Sequence, residues 1–205
     1  DGGLVRDIEF LPSTQEMGER ARSGVGLTRP ELAVLVAYAK RDLAEAVLET
    51  SMPDSKELND DLAGYFPRTA VERFGHLVWE HPLRRELIAM LVANDVVDSQ
   101  GPTFVSRLAA RTGAGVADII TAYRTARDLV GGLERRDSVE ELFGTVDYDV
   151  WHEVMAANYD LVATLTRWFL RHGSAATDAG RPADFAEMEA EIGEWGSLQW
   201  RLERS

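Results

Sequence analysis

The sequence contains no cysteine among its 205 residues, so disulfides and thiolate chemistry are excluded. A reducing cytoplasm is consistent with that absence and is the location we expect. Basic residues are also few, since 22 Lys and Arg stand against 35 Asp and Glu and leave a formal net charge of −13. Because nucleic acids and anionic membranes are bound by clustered Lys and Arg, this balance opposes both kinds of partner.

Long apolar runs and a secretion signal are missing too. No run approaches the roughly 20 apolar residues needed to cross a bilayer, and the start has neither the basic region nor the apolar block of a signal peptide. The chain opens at Asp1 and not at Met, which either processing or origin as a piece of a longer chain would explain. Hydrophobic residues make up 45% of the chain, which is enough for a core and argues against global disorder.

Two catalytic motifs begin in the sequence and then fail. Gly24-Val25-Gly26 starts like a dinucleotide-binding fingerprint, but Arg29 stands where the third glycine belongs and no strand precedes it. His152-Glu153 starts like the HExxH motif of zinc proteases, but Ala156 replaces the second histidine. We therefore predict no catalytic, cofactor-binding or metal-binding residue in this chain.

Two polar features each allow two interpretations. Asn94 falls on an apolar helix face, where it is either a buried amide satisfied by a neighbouring helix, which we favour, or a ligand contact. A set of arginines is either paired with the abundant acids, which we favour because exposed ion pairs are common, or a basic surface for an anionic effector or an acidic partner. The set is Arg84, Arg85, Arg107, Arg111, Arg124 and Arg127.

Apolar residues recur at helical spacing along most of the chain, and strand-like alternation is nowhere sustained. Thr28 and Glu31 have the spacing of a capping box that opens a helix over about 29–50, and Gly75 is predicted to stop a helix over 68–74. The predicted inward faces are Leu32, Leu35, Val36, Ala39 and Leu43; Leu83, Leu87, Met90, Leu91 and Val97; Val116, Ile119, Ile120, Tyr123 and Val130; and Val150, Val154, Ala157, Leu161, Leu165 and Trp168. The predicted fold is all-α, an irregular multi-helix bundle of roughly nine or ten helices.

The pattern divides the chain into three predicted parts. Residues 1–26 form a connector, residues 27–173 a helical domain, and residues 174–205 a loop followed by a C-terminal helix. Both outer parts carry apolar residues with few core positions around them, and we expect these residues to contact another domain or chain. They are Ile8, Phe10 and Leu11 in the connector and Trp195 and Trp200 in the last helix.

Two long blocks resemble the C-terminal helical region of the large bacterial NAD-specific glutamate dehydrogenases. They are LTRPELAVLVAYAK at 27–40 and HPLRRELIAMLVANDVVDSQGPTFVSRLAARTGA at 81–114. The aromatic turn at 65–67 and TRWFLRH at 166–172 resemble the same family in the same order, so the resemblance covers about residues 7–172. Asp98 departs from the family pattern, which often has Asn at that position.

The resemblance implies a non-catalytic domain that follows a catalytic domain and acts as scaffold, interdomain brace or oligomer contact. The full-length enzyme it implies oxidises L-glutamate with NAD to 2-oxoglutarate and ammonium, with NAD bound upstream and no cofactor in this fragment. The implied partners are the upstream catalytic domain of the same chain and further copies in a homo-oligomer. Lys40 lies mid-helix in the first block and is interpreted as structural.

The connector suggests how such a brace would act. We expect Ile8, Phe10 and Leu11 to pack between the catalytic domain and the bundle, and thereby to limit domain motion during the catalytic cycle. The alternative is an independent helical adaptor or effector-sensing module, which would bind a ligand saturably without the upstream domain.

Overall fold

A computed structural model describes residues 3–130 and 138–172, and every regular element within those ranges is helical. Eight α-helices of seven residues or more lie there, and a helical turn at 138–141 makes a ninth helical segment. The prediction of an all-α, multi-helix fold is therefore confirmed. The helix predicted within 174–205 falls outside the described residues.

The helices follow one another through short connections. They are α1 Thr14–Arg22, α2 Arg29–Leu48, α3 Asn59–Tyr65, α4 Arg68–Trp79, α5 Arg84–Gln100, α6 Phe104–Thr112, α7 Val116–Leu129 and α8 Tyr148–His172. Two short 3-10 helices, Met52–Asp54 and Lys56–Leu58, connect α2 to α3. The chain divides into two compact units, Asp1–Phe104 and Val105–Ser205. The three-part organisation expected from the sequence stays a prediction.

The predicted capping box starts α2. The hydroxyl of Thr28 accepts from the Glu31 N–H at 3.4 Å, and the Glu31 carboxylate accepts from the Thr28 N–H at 2.6 Å. This backbone hydrogen bond from Thr28 is the main reason why the pKa of Glu31 is lowered. Arg20 near the end of α1 donates to the same carboxylate at 3.0 Å, so one glutamate both caps α2 and joins it to α1.

The first unit is built on the antiparallel pair of α2 and α5. Arg85 at the start of α5 donates to the Leu48 carbonyl at 2.8 Å, and Asp98 near its end pairs with Lys40 at 2.6 Å. Buried side chains from α2, the 3-10 segment, α3 and α5 fill the space between the elements. They are Leu43, Val47, Leu58, Leu62, Ile88, Ala89, Val92, Ala93, Val96 and Val97.

The predicted inward faces of α2 and α5 are partly wrong. In α5 the buried face contains Ile88, Val92 and Val96, whereas Leu83 is 54% exposed. The helix is apolar on several sides, so its spacing alone did not select the face that meets α2. In α2 the buried residues are Leu43 and Val47, and Leu32 is exposed, because α5 ends beside Lys40 and does not extend along the first half of α2.

The predicted end of the fourth helix at Phe74 coincides with a break in the helix, which resumes beyond the predicted stop. The helix continues through Gly75 to Trp79, with a local kink at Phe74, whose φ of −132° and ψ of 24° are not helical. Val78, beyond the kink, is buried, and α4 packs against α3. Burial of the last turn favours the continued helix over termination at the glycine, whose entropic penalty is only about 1 kcal/mol.

The second unit has α7 packed along α8 as its main contact. The predicted faces are confirmed for Ile119, Ile120 and Tyr123 of α7, which are buried, and for four residues of α8. Those four are Val154, Leu161, Leu165 and Trp168. A smaller cluster of Val139, Val154 and Met155 is covered by Trp151, whose indole N–H donates to the Val139 carbonyl at 2.9 Å.

Candidate interdomain contact at the amino-terminal turn

The residues before α1 form a hydrogen-bonded turn, here named the docking turn and defined as Val5–Leu11. The N–H groups of Ile8 and Glu9 both donate to the Val5 carbonyl, at 3.0 and 3.1 Å. The Leu11 N–H donates to the Arg6 carbonyl at 2.9 Å and closes the turn. These seven residues therefore have a defined backbone conformation although they belong to no helix.

Two side chains of the docking turn bind it to the helices that follow. Arg6 donates to the Pro12 carbonyl at 3.1 Å and lies 3.5 Å from the sulfur of Met17 in α1. Glu9 accepts from the hydroxyl of Tyr38 in α2 at 2.6 Å, a contact between residues 29 positions apart. The docking turn is thus attached to α2 in the half of that helix that α5 does not cover.

Glu9 favours the neutral, donating form of Tyr38, whereas the nearby charge of Arg41 opposes this effect on the pKa of Tyr38. The tyrosine's hydrogen bond to the Glu9 carboxylate is the largest cause of a raised pKa, because ionised Tyr38 would lose this bond and face a second negative charge. The guanidinium of Arg41, one turn further along α2, lies 4.3 Å from the centre of the Tyr38 ring. That stacking is a cation–π contact, which holds the ring in place from one side.

The apolar residues that flank Glu9 are exposed. Ile8 is 70% exposed and Phe10 is 89% exposed, while Leu11 is half-buried. Phe10 has a φ of 54°, and it is the one residue other than glycine with a positive φ in the described part of the chain. A left-handed backbone costs about 1–3 kcal/mol for such a residue. Phe10 therefore carries two unfavourable features, a strained backbone and an apolar ring exposed to water.

The structure describes three of the five residues predicted to form an interdomain contact. Ile8, Phe10 and Leu11 lie together in the docking turn. Trp195 and Trp200 lie outside the described residues. Their role stays a prediction.

The structure also describes the glycine motif, the possible metal ligands and Asn94, which the sequence did not favour as functional. Gly24 follows α1 with a φ of 69°, and Gly24-Val25-Gly26 forms the break between α1 and α2. Within residues 3–130 and 138–172, no group of three or more His, Cys, Asp or Glu side chains is placed to hold a metal ion. Asn94 is only partly buried. In the same ranges, no helix is both long and apolar enough to cross a membrane.

Three of the six arginines singled out in the sequence have protein partners described here. Arg84 donates to the carbonyls of Pro53 and Ser55 and to the Asn59 side chain, and Arg85 pairs with Asp54. The hydrogen bond from Arg85 is the main reason why the pKa of Asp54 is lowered. The buried Arg127 pairs with Asp128 at 2.8 Å. Ion pairing and loop binding therefore account for these three arginines, whereas Arg107 and Arg111 are exposed.

Sequence reasoning missed Glu9, Tyr38 and Arg41. Tyr38 and Arg41 are one helical turn apart on α2, but Glu9 lies 29 positions before Tyr38, a separation that carries no helical or strand period. The available signal was a carboxylate placed between two apolar residues, Ile8 and Phe10. If Ile8 and Phe10 face outward, Glu9 between them faces the protein, where it needs a polar partner.

The described residues define a helical class of domain, in which every regular element is a helix. The family model described as "Glutamate dehydrogenase, C-terminal" matches residues 24–194. The chain therefore belongs to the family of glutamate dehydrogenase C-terminal domains, and the resemblance found in its sequence blocks is confirmed.

Curated relatives agree with this assignment. The chain is 39% identical over 193 residues to the NAD-specific glutamate dehydrogenase of Pseudomonas aeruginosa and 36% identical over 193 residues to that of Halomonas elongata. Each of these alignments covers 94% of this chain and 12% of the relative. The enzyme of Mycobacterium tuberculosis is 36% identical over 156 residues, which are 76% of this chain and 9% of the relative. The chain thus spans 12% or less of the length of these relatives.

Proposed function

We propose that this chain is the non-catalytic C-terminal helical domain of an NAD-specific glutamate dehydrogenase, in which it acts as scaffold, interdomain brace or oligomer contact. The observation that carries the proposal is the coverage of the relatives: 94% of this chain aligns with only 12% of enzymes named for that activity. The matching family is named for the C-terminal part, so the catalytic machinery belongs to the remaining part of such an enzyme.

The full-length enzyme would oxidise L-glutamate with NAD to 2-oxoglutarate, ammonium and NADH. NAD binding is assigned to the upstream part, since dinucleotides are held where a strand turns into a helix and the described residues here are helical. The residues of this chain therefore act on the reaction indirectly, through the position of the domain that carries it. We assign this work to a cytoplasmic, homo-oligomeric enzyme.

The docking turn supplies the surface for the brace. Ile8, Phe10 and Leu11 would pack against the catalytic domain and limit its motion relative to the helical domain. Hinge closure and opening set turnover in many enzymes, so a contact at the hinge controls kcat without touching substrate. Burial of an aromatic ring that is 89% exposed here would also offset the cost of its strained backbone.

Comparing this chain with the full-length enzyme at equal molarity tests the assignment. Glutamate-dependent NADH formation is expected from the full-length enzyme only, because the chain alone lacks the catalytic part. Activity of the isolated chain would refute the proposal. The alternative, an independent adaptor or effector-sensing module, predicts instead that the isolated chain binds an effector saturably and that its removal leaves the enzyme's turnover unchanged.

Serine substitutions test the brace. Changing Ile8, Phe10 and Leu11 together to serine in the full-length enzyme should alter kcat or oligomer size, because each buried apolar side chain contributes about 1.5–3 kcal/mol to such a contact. The measurements are steady-state kinetics and size-exclusion chromatography with light scattering.

The matched control changes three apolar residues elsewhere in the same unit. Phe74, Leu77 and Leu83 are all exposed, and their triple serine variant should leave kcat and oligomer size at the wild-type values. Wild-type behaviour of the Ile8, Phe10 and Leu11 variant, or an equal effect of both triple variants, would remove the docking turn from the brace.

A further inference from the structure

The strained backbone of the docking turn is not stabilised by contacts of its own apolar side chains. Phe10 is held with a φ of 54° while its ring is 89% exposed, so the ring makes little contact that could stabilise the strained backbone. A residue persists in a sparsely populated backbone region only where its surroundings enforce it. The enforcing contact must therefore come from neighbouring residues.

Glu9 is the neighbour that makes this contact. Its carboxylate accepts from the Tyr38 hydroxyl at 2.6 Å, a charge-assisted hydrogen bond that reaches from the turn to the middle of α2. Arg41 lies against the ring of the same tyrosine, 4.3 Å from its centre, in a cation–π contact. The three side chains form a small cluster, here named the latch and defined as Glu9, Tyr38 and Arg41.

The latch determines what the turn presents. Glu9 is bound inward to α2, and its two chain neighbours, Ile8 and Phe10, are both strongly exposed. Arg6 fixes the base of the same turn through the Pro12 carbonyl. An apolar surface that is already ordered before contact loses less conformational entropy on binding than a flexible segment does.

We propose that Glu9, Tyr38 and Arg41 are positioning residues, which hold Ile8 and Phe10 ready to enter a preformed apolar pocket on the catalytic part of the same enzyme. This inference rests on the proposed function, because that proposal identifies the catalytic part on which the pocket would lie. The partner surface it describes is concave, apolar and wide enough for one aromatic ring. The docking turn would then bind the catalytic part as a rigid body, and it would not need to fold on contact.

Replacing Tyr38 with phenylalanine tests the latch directly in the 205-residue chain. The variant keeps the ring beneath Arg41 and removes only the hydroxyl that binds Glu9. Amide exchange measured by NMR should become roughly three- to tenfold faster at Ile8, Glu9 and Leu11, the range expected for one lost hydrogen bond. Glu9→Gln keeps an acceptor for Tyr38 and should give a smaller increase.

Tyr65→Phe is the matched control, since Tyr65 is exposed and packs edge-on against Phe66, away from the turn. It should leave the three amides unchanged. Exchange at these amides that is the same in Tyr38→Phe as in the wild type would overturn the latch, whatever the function of the domain.

Kinetics of the full-length enzyme separate failure of the latch from failure of the brace. Tyr38→Phe should shift kcat in the same direction as the triple serine variant of the docking turn, but less, with the KM for glutamate unchanged. If only the serine variant changes kcat or assembly, the positioning role is overturned and the brace stands. If neither variant has an effect, the brace fails and the positioning role fails with it.

Discussion

Replacing Leu165 with alanine is expected to lower the free energy of unfolding of the α7–α8 unit by about 3–5 kcal/mol. Leu165 is 0% exposed and lies in the buried seam that α8 directs against α7. The substitution removes three buried carbon atoms and leaves a space that tightly packed neighbours fill only in part. Thr166 beside it is also fully buried and donates to the Val162 carbonyl, so the local backbone has little freedom to collapse.

Urea denaturation monitored by tryptophan fluorescence measures this loss, since Trp168 lies one turn away in the same seam. The control is Leu129→Ala in the same unit, where the leucine is 46% exposed and the loss should stay below about 1 kcal/mol. Equal destabilisation by the two substitutions would mean that α8 does not bury this face in solution.

Replacing Arg84 with methionine is expected to cost about 2–3 kcal/mol. Arg84 binds two carbonyl oxygens of the segment between α2 and α3, those of Pro53 and Ser55, and the side-chain oxygen of Asn59, the first residue of α3. Methionine keeps much of the apolar stem and removes the guanidinium. The segment would then lose these connections to the first turn of α5 and keep those of Arg85, and Arg84→Lys should restore only part of the loss because an ammonium lacks the planar fork.

Thermal unfolding followed by circular dichroism gives the stability change, and amide exchange over residues 52–59 shows where it arises. Arg68→Met is the control, because the Arg68 side chain is 91% exposed and makes only an i,i+4 pair with Glu72. That variant should differ from the wild type by less than about 0.5 kcal/mol. A loss for Arg84→Met no larger than for Arg68→Met would show that the segment holds its conformation without the arginine.

The position of Arg84 and Arg85 also shows why their role was hard to predict. Basic residues in the first turn of a helix are opposed by the helix dipole, so local reasoning offers no structural purpose for them. Their purpose is tertiary: both side chains turn back to oxygens about 30 positions earlier in the chain. The favoured interpretation of ion pairing was right for Arg85, whereas Arg84 binds neutral oxygens.

The docking turn shows the same difference between what local sequence predicts and what tertiary contacts add. Ile8, Phe10 and Leu11 were chosen from the sequence as apolar residues in a polar neighbourhood, and that choice needed no structure. Their unequal exposure, the left-handed backbone of Phe10 and the bond from Tyr38 to Glu9 required the structure, because a contact across 29 residues has no periodic signature.

Residue order along the chain was sufficient to predict the helical class, the capping box at Thr28 and Glu31, the buried stripe of α8 and the family. Each of these depends on neighbours within about a turn of helix or on similarity along the chain, so local residue order is sufficient. Contacts between elements were needed to establish which side of α5 is buried, how far α4 continues past Gly75 and which way the docking turn faces. In those places several local conformations have similar free energies, and the packing partner selects one of them.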